Sequence, residues 1–174
     1  MKMNLLTLAV LIFATACTTA PPGDPMSSES PSTPAWRVID QGGYGSGANA
    51  EPMTSSASRI ELATTAAEYR QLWNEIVSAE NAPPPVDFSN EVVAFLTLGQ
   101  KSTGGWAVEV SAVEVAGASA EVHATVTRPA RGGIVTMAFT APYAVVAIAA
   151  PAVRQSTWVD QTGAEIGRDE KDPG

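Results

Sequence analysis

The sequence contains few side chains of the types that carry out chemistry. Its 174 residues include a single His, His123, and a single Cys, Cys17. One imidazole and one thiol exclude a multi-His metal centre, a Cys-rich zinc site and an internal disulfide framework. No Gly-x-Ser-x-Gly nucleophile elbow is present. We therefore predict no catalytic residue, no metal site and no cofactor, and we interpret His123 as a solvated residue on the polar face of a strand. A glycosidase-type carboxylate pair among the 18 acidic residues would be defined by the distance between two carboxyl groups in space, not by their positions in the sequence.

A glycine-rich stretch, Gly43–Ala48, matches the G-x-G-x-x-A dinucleotide fingerprint letter by letter. That fingerprint needs a helix that begins at the stretch, so that free backbone amides meet the pyrophosphate. Asn49, Pro52 and a Ser/Thr run follow instead, which predicts a loop. The formal net charge of -8 also argues against a nucleic-acid partner, because phosphate contacts need clustered cations.

The N-terminal residues have the pattern of an export signal, which we expect to span residues 1–16. Lys2 precedes the apolar segment Leu5–Ala16, which is shorter than the roughly 20 residues of a membrane span. Ala14-Thr15-Ala16-Cys17 ends the segment. It resembles the lipobox of bacterial lipoproteins, and this resemblance implies that Cys17 is acylated and anchors the chain in the cell envelope. Thr18 after it favours the outer membrane, facing the periplasm or the surface, in a cell that has one. The alternative is an ordinary cleaved signal followed by a chance Cys.

The rest of the chain divides by composition into a tether, one globular domain and a tail. Residues 17–35 are rich in Pro, Ser and Thr and have no apolar periodicity, so we expect a semi-extended spacer. Residues 36–162 have the length and apolar content of a single domain. Residues 163–174 are charged and contain Pro and Gly, which predicts a flexible tail.

One amphipathic helix is predicted within the globular domain. Thr65 and Glu68 have the spacing of a capping box at its start. Apolar residues then recur at helical intervals on one face and should anchor the helix to a sheet; they are Tyr69, Leu72, Trp73, Ile76 and Val77. Arg70 lies on the opposite, polar face.

Strand patterns occupy most of the remaining domain. Val92–Leu96 is continuously apolar, which is typical of a central strand covered on both faces. Two alternating segments around Gly117 predict a hairpin, with a bulge where the alternation slips at Ser111-Ala112. Further strands are predicted at Trp36–Asp40, Arg59–Leu62, Val135–Phe139, Tyr143–Ala149 and Ser156–Val159. We predict an α+β fold, an antiparallel twisted sheet of about five to seven strands with the helix packed on it.

Several segments resemble the C-terminal domain family of PrcB, a lipoprotein subunit of a surface protease complex. They occur in the family's order: the helix Tyr69–Trp73, Val86–Ser89, Glu91–Ala94, Gly99–Trp106, Val108–Val110 and Ala141–Tyr143 leading into Val145–Ala147. The resemblance covers roughly residues 57–150. Its most specific element is Gly99–Trp106, where family members usually carry Tyr in place of Trp106. It implies a non-enzymatic accessory protein that associates with or stabilises an exported protease or another envelope protein.

The most distinctive segment of the resemblance is also the candidate partner-binding surface. Its residues are Lys101, Ser102, Thr103, Gly104, Gly105 and Trp106. A loop between strands is exposed and often carries binding, and adjacent glycines permit unusual backbone shapes. The alternative is a tight hairpin in which the glycines serve geometry only and Trp106 fills the core.

A protease inhibitor is the alternative function. Thr103–Trp106 and Arg128-Pro129 show a partial similarity to the loop motifs of chagasin-type cysteine-protease inhibitors. Inhibition in a titration against proteases would separate this function from that of an assembly module.

Overall fold

The computed structural model describes residues 35–44 and 55–172. These residues fall in one compact unit, Thr33–Gly174. The predicted signal segment 1–16, Cys17 and nearly all of the tether 17–35 lie outside the described residues, as does most of the Gly43–Ala48 stretch. The predictions made for them stay predictions.

The described part of the chain has eight strands and one helix. The strands are β1 (Trp36–Tyr44), β2 (Arg59–Ala63), β3 (Val92–Thr97), β4 (Ala107–Ala116), β5 (Ser119–Thr127), β6 (Ala141–Ile148), β7 (Gln155–Val159) and β8 (Glu165–Glu170), and the helix is α1 (Ala66–Ile76). They form two four-stranded sheets, in the orders β1-β6-β3-β2 and β4-β5-β7-β8. Neighbouring strands are antiparallel except β5 and β7, which are parallel.

The broad α+β class agrees with the sequence prediction, but the single sheet of five to seven strands is wrong. The structure has two sheets, because β4 and β5 do not extend the sheet of the central strands. Alternation along a strand shows that one face is covered and does not show what covers it. In this chain the covering element for one sheet is the other sheet.

Two apolar clusters hold the layers together, one on each face of the first sheet. Every residue of β3 and of β6 is buried. Ala94 and Leu96 of β3 pack towards the second sheet, in a cluster that contains Trp158. Val93 and Phe95 pack towards α1. The prediction of a central strand covered on both faces is therefore confirmed.

The β4–β5 hairpin has the bulge that its sequence predicts. The pairing register shifts between Val110 and Ala112. Ser111, the residue left between them, donates its hydroxyl to the carbonyl of His123 at 3.1 Å. The slip in alternation was a reliable sign of the bulge because an extra residue reverses which side chains face the core.

Helix α1 begins as its sequence predicts. Thr65 is the N-cap, its hydroxyl accepts from the Glu68 amide at 3.2 Å, and the Glu68 carboxylate accepts from the Thr65 amide at 3.2 Å. The same carboxylate also accepts from the amide and the hydroxyl of Thr64. Burial raises the pKa of Glu68, but the Thr64 hydrogen bonds and the charge of Lys171 outweigh that effect and hold this pKa below its ordinary value.

We expect Glu68→Gln to destabilise the fold at neutral pH and to have little effect in acid. The loss at pH 7 should be about 0.3–1 kcal/mol, because Gln can keep the capping-box hydrogen bonds but loses the negative charge that supports the helix N-terminus. A depressed folded-state pKa adds stability above the unfolded pKa, and this stability is lost as the pH falls through the folded pKa. Urea unfolding of both proteins from pH 7 downwards measures this. A constant difference between them throughout the acid range would contradict it.

The predicted flexible tail at residues 163–174 is wrong for the half of it that forms a strand. Glu165–Glu170 forms β8, which pairs with β7. The side chain of Asp169 also accepts a hydrogen bond from the Leu62 amide of the first sheet at 2.9 Å. Backbone pairing needs no apolar side chains, and this explains why a charged segment can be an edge strand.

The predicted strand at Val135–Phe139 is also wrong. These residues pair in no named strand, and the nearby ladder contact is an isolated bridge between Lys101 and Thr140. Ile134, Met137 and Phe139 are exposed, at 105%, 87% and 65%. We call residues 131–139 the apolar loop. Its alternation has no covering layer, so it gives exposed side chains instead of a buried face.

Candidate functional site

The segment that connects β3 to β4 is held on both sides by backbone hydrogen bonds. On one side the Gln100 amide donates to the carbonyl of Ser55 at 2.8 Å. On the other side Lys101 and Thr140 exchange amide–carbonyl bonds of 2.7 and 3.0 Å, and the Gly104 amide donates to the Thr136 carbonyl at 2.9 Å. Residues 99–106 therefore form a fixed connection and also position the adjoining end of the apolar loop.

Two glycines of this segment have geometric roles. Gly105 has φ +82°, a conformation that side-chain-bearing residues rarely adopt. A Cβ atom on Gly104 would collide with the hydroxyl of Thr136. Gly105 therefore provides the positive φ, and Gly104 allows the close approach of Thr136. The role of the segment in binding a partner stays a prediction.

Trp106 lines a surface cleft and is not a core residue. Its side chain is half-buried and lies outside both buried clusters, so the alternative in which it fills the core does not hold. The Lys101 ammonium lies 5.4 Å from the centre of its ring, and the Arg128 guanidinium lies 6.0 Å from that centre. Both distances are within the range of cation–π attraction.

The cleft that contains Trp106 has a volume of about 380 Å³ and lies beside the turn between β7 and β8. Apolar side chains form part of its lining, and both cations and acids lie at its walls. The lining residues are Ser58, Leu98, Lys101, Trp106, Val126, Arg128, Asp160, Ala164, Glu165 and Ile166. We call this the Trp106 cleft.

The acids of the Trp106 cleft already have partners of their own. Asp160 accepts from the amide and hydroxyl of Thr162 and from the Ala164 amide, and the Thr162 bonds hold its pKa below the ordinary value. Glu165 pairs with Arg168 through two hydrogen bonds of 2.6 and 3.0 Å, and Arg168 lowers its pKa. These carboxylates are therefore occupied in shaping the turn and β8.

The two cations of the Trp106 cleft are engaged less closely, and the charge of Arg128 contributes to the lowered pKa of Asp160. Within the described ranges, neither Lys101 nor Arg128 makes an ion pair. Lys101 donates one long bond, 3.4 Å, to the Ser56 carbonyl. Burial, and then the charge of Arg128, lower the pKa of Lys101. Two like charges are therefore held near one ring, and neither is in ion-pair contact with a carboxylate of the described residues.

The structure brings only some of the predicted site residues to this cleft. Lys101 and Trp106 line it, Ser102 is exposed, and the Thr103 carbonyl accepts from the Thr140 hydroxyl at 3.1 Å. Asp160 and Glu165 were not among the predicted site residues: Asp160 lies near the end of the predicted domain 36–162, and Glu165 lies in the predicted tail 163–174. Arg128 was noticed, but only as part of a loop motif.

His123 is less exposed than we expected. One third of its side chain is accessible, and Nε2 lies 3.3 Å from the Glu121 carboxylate and 3.7 Å from that of Glu114. Within residues 35–44 and 55–172, no three His, Cys, Asp or Glu side chains are grouped as a metal ion would require. No helix within the same ranges has both the length and the apolarity needed to cross a membrane.

Comparison with known families agrees with the resemblance noted in the sequence. Residues 92–149 match the family model described as PrcB C-terminal, which is 58 of the 174 residues. The match runs from β3 to the end of β6 and includes the segment 99–106, Arg128 and the apolar loop. It does not include α1 or the β7–β8 turn. No curated protein and no solved structure matched the chain.

The family resemblance is therefore confirmed over this central region. Residues 92–149 are similar to the PrcB C-terminal family.

Proposed function

We propose that this protein is an exported, lipid-anchored accessory subunit that binds a protease of the cell envelope and has no catalytic activity of its own. The family match over residues 92–149 is the observation that carries the proposal. The matched region contains both the rigid segment 99–106 and the apolar loop, so a binding surface would lie within the part that the family defines.

The apolar loop gives the proposed partner a surface to bury. Ile134, Met137 and Phe139 are exposed on one short loop, whereas most large apolar side chains of the described residues lie in the two cores. Contiguous exposed apolar side chains commonly mark protein contacts. The rigid segment beside them limits the conformational entropy that binding would cost, because Lys101, Gly104 and Thr140 are already hydrogen-bonded across it.

Affinity capture tests the association. Tagged protein and an M137S/F139S variant are crosslinked in envelope fractions, and captured proteins are identified by mass spectrometry. We expect the original protein to capture a protease. The variant should capture severalfold less of that protease while its thermal stability stays unchanged. Val115→Ser, at another exposed apolar position (43%), is the matched control. Absence of a protease, or equal capture by all three proteins, would contradict the proposal.

We expect Cys17→Ala to release the protein from the membrane fraction. The apolar segment Leu5–Ala16 ends at the only Cys of the chain, and acylation there would supply the anchor. Fractionation with a salt wash, followed by immunoblotting, measures the distribution. Thr18→Ala serves as the control and should stay with the membrane. A Cys17→Ala protein that remains membrane-bound after the wash would refute lipid anchoring.

Protease inhibition is the second candidate function, and one observation favours it. The two segments that resemble chagasin-type loops are neighbours in space: Pro129 lies 3.2 Å from the Cβ position of Gly105, and Arg128 lies over Trp106. Titration against a panel of cysteine and serine proteases distinguishes the functions. Stoichiometric inhibition would favour the inhibitor, and capture of a protease that stays active would favour the accessory subunit.

A further inference from the structure

We propose that the Trp106 cleft binds the free C-terminal carboxylate of a partner polypeptide whose last residue is apolar. The proposal names the chemistry of a partner and so rests on the proposed function. It goes beyond that function because it assigns the ligand class of a particular site, formed jointly by the β3–β4 connection, the end of β5 and the β7–β8 turn.

Charge complementarity points to an anion. Lys101 and Arg128 lie 5.4 and 6.0 Å from the centre of the Trp106 ring, and within the described residues neither makes an ion pair, although the charge of Arg128 helps to lower the pKa of Asp160. An anion between the two cations would remove their mutual repulsion and gain charge-assisted hydrogen bonds. The carboxylates of Asp160 and Glu165 make no ion pair with either cation, and their oxygens accept hydrogen bonds from Thr162, Ala164 and Arg168, so a ligand anion could still contact the two cations directly.

The rest of the cleft selects among anions. Leu98, Val126 and Ile166 line it beside the cations, so a ligand must present an apolar group close to its negative charge. The last residue of a peptide carries a carboxylate and a side chain on the same Cα atom and meets this requirement. Asp160 and Glu165 at the walls would repel a second negative charge, which disfavours polyanions. A volume of about 380 Å³ is adequate for the end of a chain.

A peptide-binding measurement tests this assignment. The probes are a fluorescein-labelled hexapeptide that ends in Val-Leu with a free carboxylate, the same peptide with a C-terminal amide, and an amidated version with an internal Glu. Fluorescence anisotropy should show the free acid binding about tenfold more tightly than either amide. Equal binding of the free acid and the amide would overturn the proposal, and so would no binding of the free acid. Tighter binding of the Glu peptide would assign the cleft to an acidic side chain instead of a C-terminal carboxylate.

Variants of the cations locate the binding. Arg128→Gln should weaken binding of the free-acid peptide about five- to tenfold, and Lys101→Gln should weaken it by a similar factor. Arg128 is exposed and donates no hydrogen bond within the described part of the chain, so its substitution should leave the fold intact. Arg131→Gln, an exposed cation on the neighbouring apolar loop, is the control and should bind as the original does. Equal weakening by Arg131→Gln would indicate non-specific attraction and overturn the site.

The outcomes also separate this proposal from the proposed function. If a protease is captured but none of the peptides binds, the accessory role is retained and the carboxylate site is rejected. Specific peptide binding without any captured protease would reject the accessory role and retain the cleft's ligand chemistry.

Discussion

Trp73→Ala should lower the free energy of unfolding by about 3–5 kcal/mol. The indole is 4% exposed and packs in the cluster that joins α1 to the first sheet. It meets Tyr69 edge-on, with ring centres 5.9 Å apart. Its Nε1 donates to the carbonyl of Asn81 at 2.8 Å, so truncation also removes a hydrogen bond to the chain that follows the helix. The cavity left by the indole and the loss of this hydrogen bond both lower the free energy of unfolding.

Arg70→Ala is the matched control for this prediction. Arg70 lies on the exposed face of the same helix, and its truncation should cost less than about 0.5 kcal/mol. Urea unfolding followed by far-ultraviolet circular dichroism gives both free energies, provided that the slope against urea is unchanged. Equal destabilisation by the two variants would show that the helix is oriented differently.

The helix was predictable because its determinants are local. Thr65 and Glu68 specify its start over four residues, and the positions from Tyr69 to Val77 specify its buried face. Each of these signals is contained within two or three turns of chain. The bulge at Ser111 was predictable for the same reason, since it changes the alternation of adjacent residues.

The division into two sheets was not predictable from such signals. It depends on which strands pair across long separations, as when β1 pairs with β6 and β5 pairs with β7. The alternation of β5 is compatible with either a single sheet or a sandwich. β8 was missed because its pairing with β7 uses backbone groups, and its sequence, with Arg168 and Asp169, resembles that of a solvated tail. The apolar loop was predicted as a strand because its apolar residues alternate, but no strand pairs with it.

The candidate site was predictable on one side only. Gly104, Gly105 and Trp106 mark an unusual connection within a few residues, and the structure confirms its special geometry. The opposing walls come from Arg128 and from Asp160, far along the chain. Sequence order alone gives no indication that these residues meet, because the meeting depends on how the two sheets are stacked.

Gly99→Ala should be markedly more destabilising than Gly117→Ala, although the two glycines share the left-handed conformation. Their φ values are +72° and +62°. An alanine in this conformation costs roughly 1–2 kcal/mol at either site. Around Gly117, in the β4–β5 turn, a Cβ atom meets nothing within 4 Å. At Gly99 it would collide with the Ala57 carbonyl oxygen and lie 2.7 Å from the Ser56 carbonyl carbon. Overpacking against backbone should add about 1–3 kcal/mol.

The collision at Gly99 should also affect the Trp106 cleft. Relief of the contact requires residues 55–57 to move away, and this segment holds the site through the bond from the Gln100 amide to Ser55 and the bond from Lys101 to Ser56. We therefore expect Gly99→Ala to weaken binding of the free-acid peptide severalfold under conditions where it is still folded, whereas Gly117→Ala leaves binding unchanged. Urea unfolding and anisotropy measure the two effects on the same samples. Equal unfolding free energies for the two variants would show that residues 55–57 do not pack against Gly99, and the support for Lys101 would then have to come from Thr140 alone.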